Sequence, residues 1–277
     1  MMSGGQVAVL GAIAGFTIFL GLPMGRLRAK VAGTRTTLNA IAIGVLLFLL
    51  WDILAHAWAP VDAALGEKHL VAATGYGLVM VAGVGVGLLG LVGFDRWIAG
   101  RATAARTMPN DSQPTSTPTR SGLLTSASGT LAVLIAAGIG LHNFAEGLAI
   151  GNSAATGQLS LAGILVIGFA THNATEGFGI VAPMAADGVR PTWSQLLALG
   201  VIGGVPTLLG TVVGERFTSV LTSVAFLALA AGSILYVVIE LLAVARRFGL
   251  KYHTSWGMIA GLALGFATDA ILTVAGG

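Results

Sequence analysis

The sequence predicts an all-α integral membrane protein with eight transmembrane helices and both termini outside. Its 277 residues are 55% hydrophobic and only 9% charged, whereas an ordinary soluble domain is about 25% charged. Eight apolar runs are long enough to cross the ~30 Å hydrocarbon core of a bilayer. Many of the 41 glycines recur at four-residue spacing, as in Gly257, Gly261 and Gly265. Small residues at that spacing let helices pack closely in lipid.

The predicted spans follow one another through short connections, apart from one long break. They lie near residues 6–22, 37–58, 70–94, 129–151, 160–184, 194–213, 218–245 and 255–275. No basic residue precedes the first apolar run, and its positive charges come afterwards. We therefore expect a retained first span and not a cleaved signal peptide.

The long break separates the third span from the fourth. Residues 108–120 are polar, interrupted by proline and without periodicity, so residues 95–128 are predicted to form a disordered cytoplasmic linker. On this interpretation residues 1–94 hold helices one to three and residues 129–277 hold helices four to eight. Both parts belong to a single membrane domain.

The basic residues predict how the chain is oriented. Of the 14 Lys and Arg, all but Lys68 and Arg216 follow the first, third, fifth or seventh span. The positive-inside rule places those connections in the cytoplasm, and we expect a multi-pass protein of the inner membrane. The net charge of +3 is thus an orientation signal, and we expect lipid contacts but no nucleic-acid partner.

Two predicted spans carry the same polar motif at the same depth. Helix four contains His142-Asn-Phe-Ala-Glu146-Gly and helix five contains His172-Asn-Ala-Thr-Glu176-Gly, thirty residues later. A His and a Glu four residues apart lie on one helix face. Ionisable residues inside a membrane are costly, and each is a functional hypothesis by default.

The two motifs together predict a metal site between helices four and five. The short connection makes these helices antiparallel neighbours, so His142, Glu146, His172 and Glu176 can converge. Two imidazoles and two carboxylates neutralise one divalent ion and suit tetrahedral zinc. Because the chain has no cysteine, thiolate ligands are excluded. One motif alone would more often be an interhelical hydrogen bond, but two matched copies favour a metal.

Four further ionisable residues are candidates for a metal route. Asp52 and His56, one turn apart near the outer end of span two, form a candidate entrance together with Asp269 of span eight. The alternative is that they are interfacial residues in contact with headgroup water. Glu240, near the cytoplasmic end of span seven, is a candidate exit residue, and the alternative is an ion pair with an arginine at 246–247.

The paired motifs, eight spans, outer termini and cytoplasmic linker resemble the ZIP (Zrt/Irt-like) family of divalent-metal transporters. Residues 47–54 in span two and 230–240 in span seven are also similar to family segments. The resemblance implies a carrier that imports a divalent metal, zinc first, toward the cytoplasm. The metal is then a transported substrate and not a cofactor, and we expect no enzymatic activity. Spans four and five, with neighbours, would move against the rest.

The resemblance also assigns roles to the motif residues. It implies a primary transport site at the four His and Glu residues and a neighbouring second site that uses Asn143 and Asn173. Relatives with two metals have a Glu where Val205 stands here, so we expect one tightly held ion. Ala145 and Thr175 replace a proline that many members have before the motif Glu. Residues 95–128 contain no His, so a His-rich linker is absent.

Two alternatives belong to other classes of protein. A zinc protease of the His-Glu-x-x-His type needs a general base where Asn143 and Asn173 stand, and di-iron bundles need further carboxylates. A metal sensor needs a readout domain, and no polar segment is long enough to fold as one. The sequence does not decide between zinc and iron, manganese, cadmium or cobalt as the substrate. Nor does it decide between a monomer and a homodimer.

Overall fold

The described part of the chain consists of helices with short connections. A computed structural model describes residues 3–26, 32–107, 123–155, 157, 159–216 and 219–274, and no strand occurs among them. The α-helices in these ranges are α1 (Gly4–Phe16), α2 (Ile18–Gly21), α3 (Ala32–Gly66), α4 (Leu70–Thr107), α5 (Ala127–Ala155), α6 (Leu159–Ala186), α7 (Trp193–Gly214), α8 (Val220–Phe248) and α9 (Lys251–Val274). Two 3-10 turns, Leu22–Arg26 and Leu123–Thr125, accompany them.

Six of the predicted spans are helices that are long and apolar enough to cross a membrane. Within the described residues these are Gly4–Arg26, Gly33–Gly66, Leu70–Ile98, Ala127–Ala155, Trp193–Gly214 and Val220–Phe248. The fifth and eighth predicted spans also form helices, α6 and α9, of 28 and 24 residues, but they are not among these six. The count of eight and the outer termini therefore stay predictions.

Helix α4 is longer than the third predicted span. It continues as helix through Thr107 and so occupies the first part of the segment predicted to be a linker. The stretch 101–106 reads Arg-Ala-Thr-Ala-Ala-Arg, and Ala and Arg are strong helix formers. Residues 108–122, in the middle of the predicted linker, lie outside the described residues.

The helices pack in matched pairs on either side of α5 and α6. Helix α5 packs on α7, and α6 packs on α1 and α2. Helix α3 packs on α9, α4 packs on α8, and α3 and α8 contact each other between these pairs. The pattern of contacts is therefore unchanged when α5 and α6 trade places, provided that α1 trades places with α7, α3 with α8 and α4 with α9. This is the packing expected of an internal repeat, whose two halves meet where transporters bind their substrates.

Glycines permit the closest of these helix contacts. A Cβ added to Gly147 of α5 would overlap the carbonyl oxygen of Thr207 on α7, and one added to Gly177 of α6 would overlap that of Ile18 on α2. On α9, a Cβ added to Gly261 would overlap the carbonyl oxygen of Ile41 on α3, and one added to Gly265 would overlap the Phe48 side chain. The expectation that spaced glycines bring helices together is confirmed at these positions.

Candidate metal centre

Both His-Asn-x-x-Glu-Gly motifs lie in the buried middle of adjacent helices. The three polar side chains of the α5 copy are buried, as are Asn173 and Glu176 in the α6 copy. His172 is the exception, with 12% of its side chain exposed. Both motifs follow long apolar helical stretches, which carry their polar side chains into the core among α1, α3, α7 and α8.

The four predicted ligands converge between α5 and α6. The Nε2 atom of His142 lies 3.0 Å from a carboxylate oxygen of Glu146 and 3.5 Å from one of Glu176. The same Glu146 oxygen lies 2.5 Å from Nε2 of His172. In a tetrahedral zinc site with bonds of 2.0–2.2 Å, two ligand atoms are about 3.4 Å apart. The contacts around His142 are therefore close to the spacing that one ion requires.

Three of these residues form the tightest group. Ligand atoms of His142, Glu146 and His172 all lie within 4.8 Å of one another. Glu176 lies just outside this group and reaches it through His142. The arrangement can hold one divalent cation on three ligands, with a second carboxylate, that of Glu176, at its edge as a fourth ligand.

Several buried polar atoms of the centre have no hydrogen-bond partner among the described residues. They include Nδ1 of His142, Oε2 of Glu146 and both carboxylate oxygens of Glu176. A buried carboxylate oxygen without a partner is costly, and more so when it is ionised. A cation coordinated by these residues would offset that cost, so the donor set fits a metal ion.

The two motif asparagines hold their helices to different neighbours. Asn143 Nδ2 donates to the carbonyl oxygen of Gly203 on α7 over 2.9 Å, and Asn173 Nδ2 donates to that of Ala14 on α1 over 3.1 Å. The Oδ1 atoms of both have no hydrogen-bond partner in the described ranges. Each asparagine thus anchors its helix through its nitrogen and keeps an oxygen available as a neutral ligand.

Two cavities connect the centre with the predicted entrance residues. One, of about 330 Å³, is lined by Asp52 and His56 and by His142 and Glu146. The other, of about 250 Å³, is lined by Asp52 and His56 together with His172 and Asp269. His56 Nδ1 lies 3.4 Å from the Asp52 carboxylate. The structure therefore places all three candidate entrance residues on cavity walls that also include predicted metal ligands.

Two other predicted residues lie away from these cavities. Glu240 is half-buried on α8, and among the described residues it forms no ion pair with Arg246 or Arg247. Arg247 instead lies 3.5 Å from Asp187. Val205 is half-buried on α7 and lines neither cavity. Neither side chain shares a cavity wall with the four predicted ligands.

Some polar residues of the site were not found from the sequence. Ser153 lines the larger cavity, and its position seven residues after Glu146 on the same helix face could have indicated it. Thr171 and Thr268 line the smaller cavity, and each is adjacent to a predicted site residue. The carbonyl groups that bind the asparagines carry no side-chain signal at all.

Comparison with known proteins agrees with the family resemblance of the sequence. The family model described as "ZIP Zinc transporter" matches residues 101–269, which include both motifs. A "Zinc transporter ZupT" of Shigella dysenteriae serotype 1 (strain Sd197) is 28% identical over 271 residues, which cover 96% of each chain. One of Escherichia coli O81 (strain ED1a) is 28% identical over 274 residues, which cover 96% of this chain and 97% of the relative. Because the family model matches more than half of the chain, this protein belongs to the ZIP zinc transporter family.

Proposed function

We propose that this protein carries a divalent transition-metal ion, zinc first, across the inner membrane toward the cytoplasm. Membership of a transporter family supports metal transport and not catalysis. The observation that carries the proposal is the buried cluster of His142, Glu146 and His172, whose ligand atoms lie within 4.8 Å of one another. The preference for zinc rests on the names of the relatives, and the inward direction rests on the family resemblance alone.

The proposed transport site holds one ion on His142, Glu146, His172 and Glu176. The two carboxylates together supply a charge of −2, which one divalent cation neutralises. A second ion in the same place would leave an excess of +2 in a buried environment, where unpaired charge is strongly unfavourable. Asn143 and Asn173 offer only neutral oxygens, so they can complete the coordination shell but do not offset a second ion.

The proposed outer route begins at Asp52 and His56. A cation drawn to these two residues and to Asp269 would enter a cavity whose inner wall includes His172. Because His172 is the one predicted ligand with an exposed fraction, it is the natural first ligand of the buried site. The larger cavity, which Asp52 and His56 also line, then leads to Glu146 and His142.

The proposed inner route includes Glu240, with less support than the outer one. This residue lies on α8 away from both cavities, so a metal that leaves the centre would reach it only after α5 and α6 have moved. Its half-buried carboxylate has no ion-pair partner among the described residues and so would be available to a cation.

The packing suggests which helices move together. Hydrogen bonds from the motif asparagines and the contacts of Gly147 and Gly177 join α5 to α7 and α6 to α1 and α2. Helices α3, α4, α8 and α9 form the other set of paired contacts. We infer that α1, α2, α5, α6 and α7 shift as one unit against this second set, and the shift would expose the site to one side at a time.

Flux of metal into sealed proteoliposomes tests the proposal. The purified protein should take up zinc faster than protein-free vesicles, and a panel of zinc, iron, manganese, cadmium and cobalt would rank its substrates. Zinc that binds tightly to the purified protein but does not cross the membrane under a zinc gradient would contradict transport. That outcome would favour a metalloenzyme or a sensor.

A further inference from the structure

Three arginines from separate segments line one cavity at the end of α6. Arg26 belongs to the 3-10 turn after α2, Arg35 to the start of α3 and Arg190 to the connection between α6 and α7. The cavity has a volume of about 130 Å³, whereas one water molecule needs only ~10–15 Å³. Among the described residues no Asp or Glu lines it.

Two of the three guanidinium groups are fixed by the protein. Arg26 donates to the carbonyl oxygen of Pro191 and lies over the ring of Trp193, with Cζ 4.8 Å from the ring centroid. Arg35 Nη1 donates to the carbonyl oxygen of Ala185 over 2.8 Å. Because a guanidinium has five N–H donors, both groups keep donors for a ligand. The site is therefore largely preformed.

The positive charges around this cavity are not balanced within the described residues. None of the three arginines takes part in an ion pair there. The acidic residue that precedes Arg190 on the same connection, Asp187, lies 3.5 Å from Arg247 instead. Cations held close together repel one another, and an anion between them removes the repulsion. The planar guanidinium group of arginine can donate two parallel hydrogen bonds to the oxygens of a phosphate group.

The position of the cavity favours a lipid phosphate over a free anion. Trp193, beside Arg26, exposes 64% of its surface, and exposed tryptophans at span ends are typical of the headgroup level. All three arginines lie in connections whose charge predicts the cytoplasmic side, where the leaflet contains anionic lipid. We propose that this cavity binds the phosphate group of an anionic phospholipid.

A bound headgroup would connect parts of the protein that the proposed transport cycle separates. The arginines come from the first span, from α3 and from the end of α6, and α6 also carries His172 and Glu176. A phosphate shared among them would hold α6 against α3, so anionic lipid would favour one position of the metal site. Lipid binding itself requires no metal, and it can be tested whatever the outcome for transport.

The test is titration of the purified full-length protein in detergent, without added metal, with short-chain phosphatidylglycerol or phosphatidylcholine. We expect binding of phosphatidylglycerol in clear preference to phosphatidylcholine. Arg190→Gln should weaken that binding about 5-fold, and the Arg35→Gln, Arg190→Gln double variant roughly 30-fold, since each surface arginine adds a comparable increment. Arg190→Lys, which keeps the charge, should recover part of the loss.

The matched control is Arg96→Gln, which removes one charge from an exposed position on α4 that lines none of the described cavities. It should leave the affinity unchanged. An equal loss in this control would mean that diffuse surface charge binds the lipid, and would overturn the proposal. So would tighter binding of inorganic phosphate than of phosphatidylglycerol, or equal binding of both lipids. Because Arg190 is exposed and supports no described contact, its variant decides the question even if Arg35→Gln misfolds.

Discussion

Glu146 and His172 lie on different helices, and Oε1 of the one is 2.5 Å from Nε2 of the other. The same oxygen is 3.0 Å from Nε2 of His142, so Glu146 links the two motifs. Of the two motif histidines, Glu176 forms an ion-pair contact only with His142, at 3.5 Å. The two carboxylates of the repeat are therefore not equivalent, and their substitutions should differ in effect.

Glu146→Gln should weaken zinc binding more than Glu176→Gln does. Replacing a group that only supports a metal ligand typically costs 10–100-fold in affinity. Loss of Glu146, which contacts both histidines, should therefore cost about 100-fold or more. Loss of Glu176, which lies at the edge of the group, should cost roughly 10-fold. Equilibrium dialysis of the purified variants would measure both. Glu67→Gln, whose side chain is 70% exposed, is the matched control and should bind as the wild type does. A larger loss for Glu176→Gln would contradict the central position of Glu146 in the site.

The paired motifs made much of this centre predictable. A His and a Glu four residues apart must share a helix face, and a short connection must make α5 and α6 neighbours, so the four side chains had few other places to meet. The contacts of Asn143 with Gly203 and of Asn173 with Ala14 were not predictable. Their acceptors are backbone carbonyls on helices far away in the sequence, and no side chain marks them.

The cavities show a second limit of reasoning from sequence. Asp52, His56 and Asp269 were selected for their depth in predicted spans, and depth alone does not say which helix face points inward. Only the packing of α3 on α9 and on α6 decides that these residues share cavity walls with His172. For the same reason the sequence did not show that Glu240 lies away from both cavities.

Asp52→Asn should raise the KM for zinc transport several-fold and leave tight binding at the buried centre unchanged. Asp52 lines both cavities but lies outside the ligand group, so its charge should act on the arrival of the ion. Initial uptake rates over a range of zinc concentrations would separate KM from kcat. Asp62→Asn, an exposed position on the same helix, should change neither. If Asp52→Asn lowers kcat and tight binding equally, the residue belongs to the transport site itself.

Gly147→Ala should destabilise the protein and reduce transport, because the added Cβ would overlap the carbonyl oxygen of Thr207. Overpacking of this kind typically costs about 1–3 kcal/mol, and here it would also separate α5 from α7. Thermal unfolding in detergent and zinc flux would be measured together. The control is Gly85→Ala on α4, where an added Cβ meets nothing within 4 Å. That variant should be as stable as the wild type or slightly more stable, and a matching loss there would contradict the packing argument.

Val205→Glu should raise the number of tightly bound zinc ions per chain from one to two. We expect the new carboxylate to face the centre from α7, the helix that binds Asn143 through the carbonyl oxygen of Gly203, and to raise the charge of the centre from −2 to −3. A second divalent ion then becomes electrostatically favourable. Elemental analysis after matched desalting would count the ions. Two ions in the wild type, both lost when His142 and His172 are replaced, would refute the single-ion site. One ion in both proteins would show that Val205 does not occupy the position of the second-site Glu.

Zinc uptake by proteoliposomes that contain the Glu146→Gln, Glu176→Gln double variant tests the central claim most directly. This variant keeps the size of both side chains but removes the charge that holds the ion, and it should insert and purify as the wild type does. We predict zinc uptake no faster than in protein-free vesicles, with normal uptake by Glu67→Gln measured in parallel. Uptake at the wild-type rate would show that the ion crosses the membrane without these carboxylates and would contradict the proposed site.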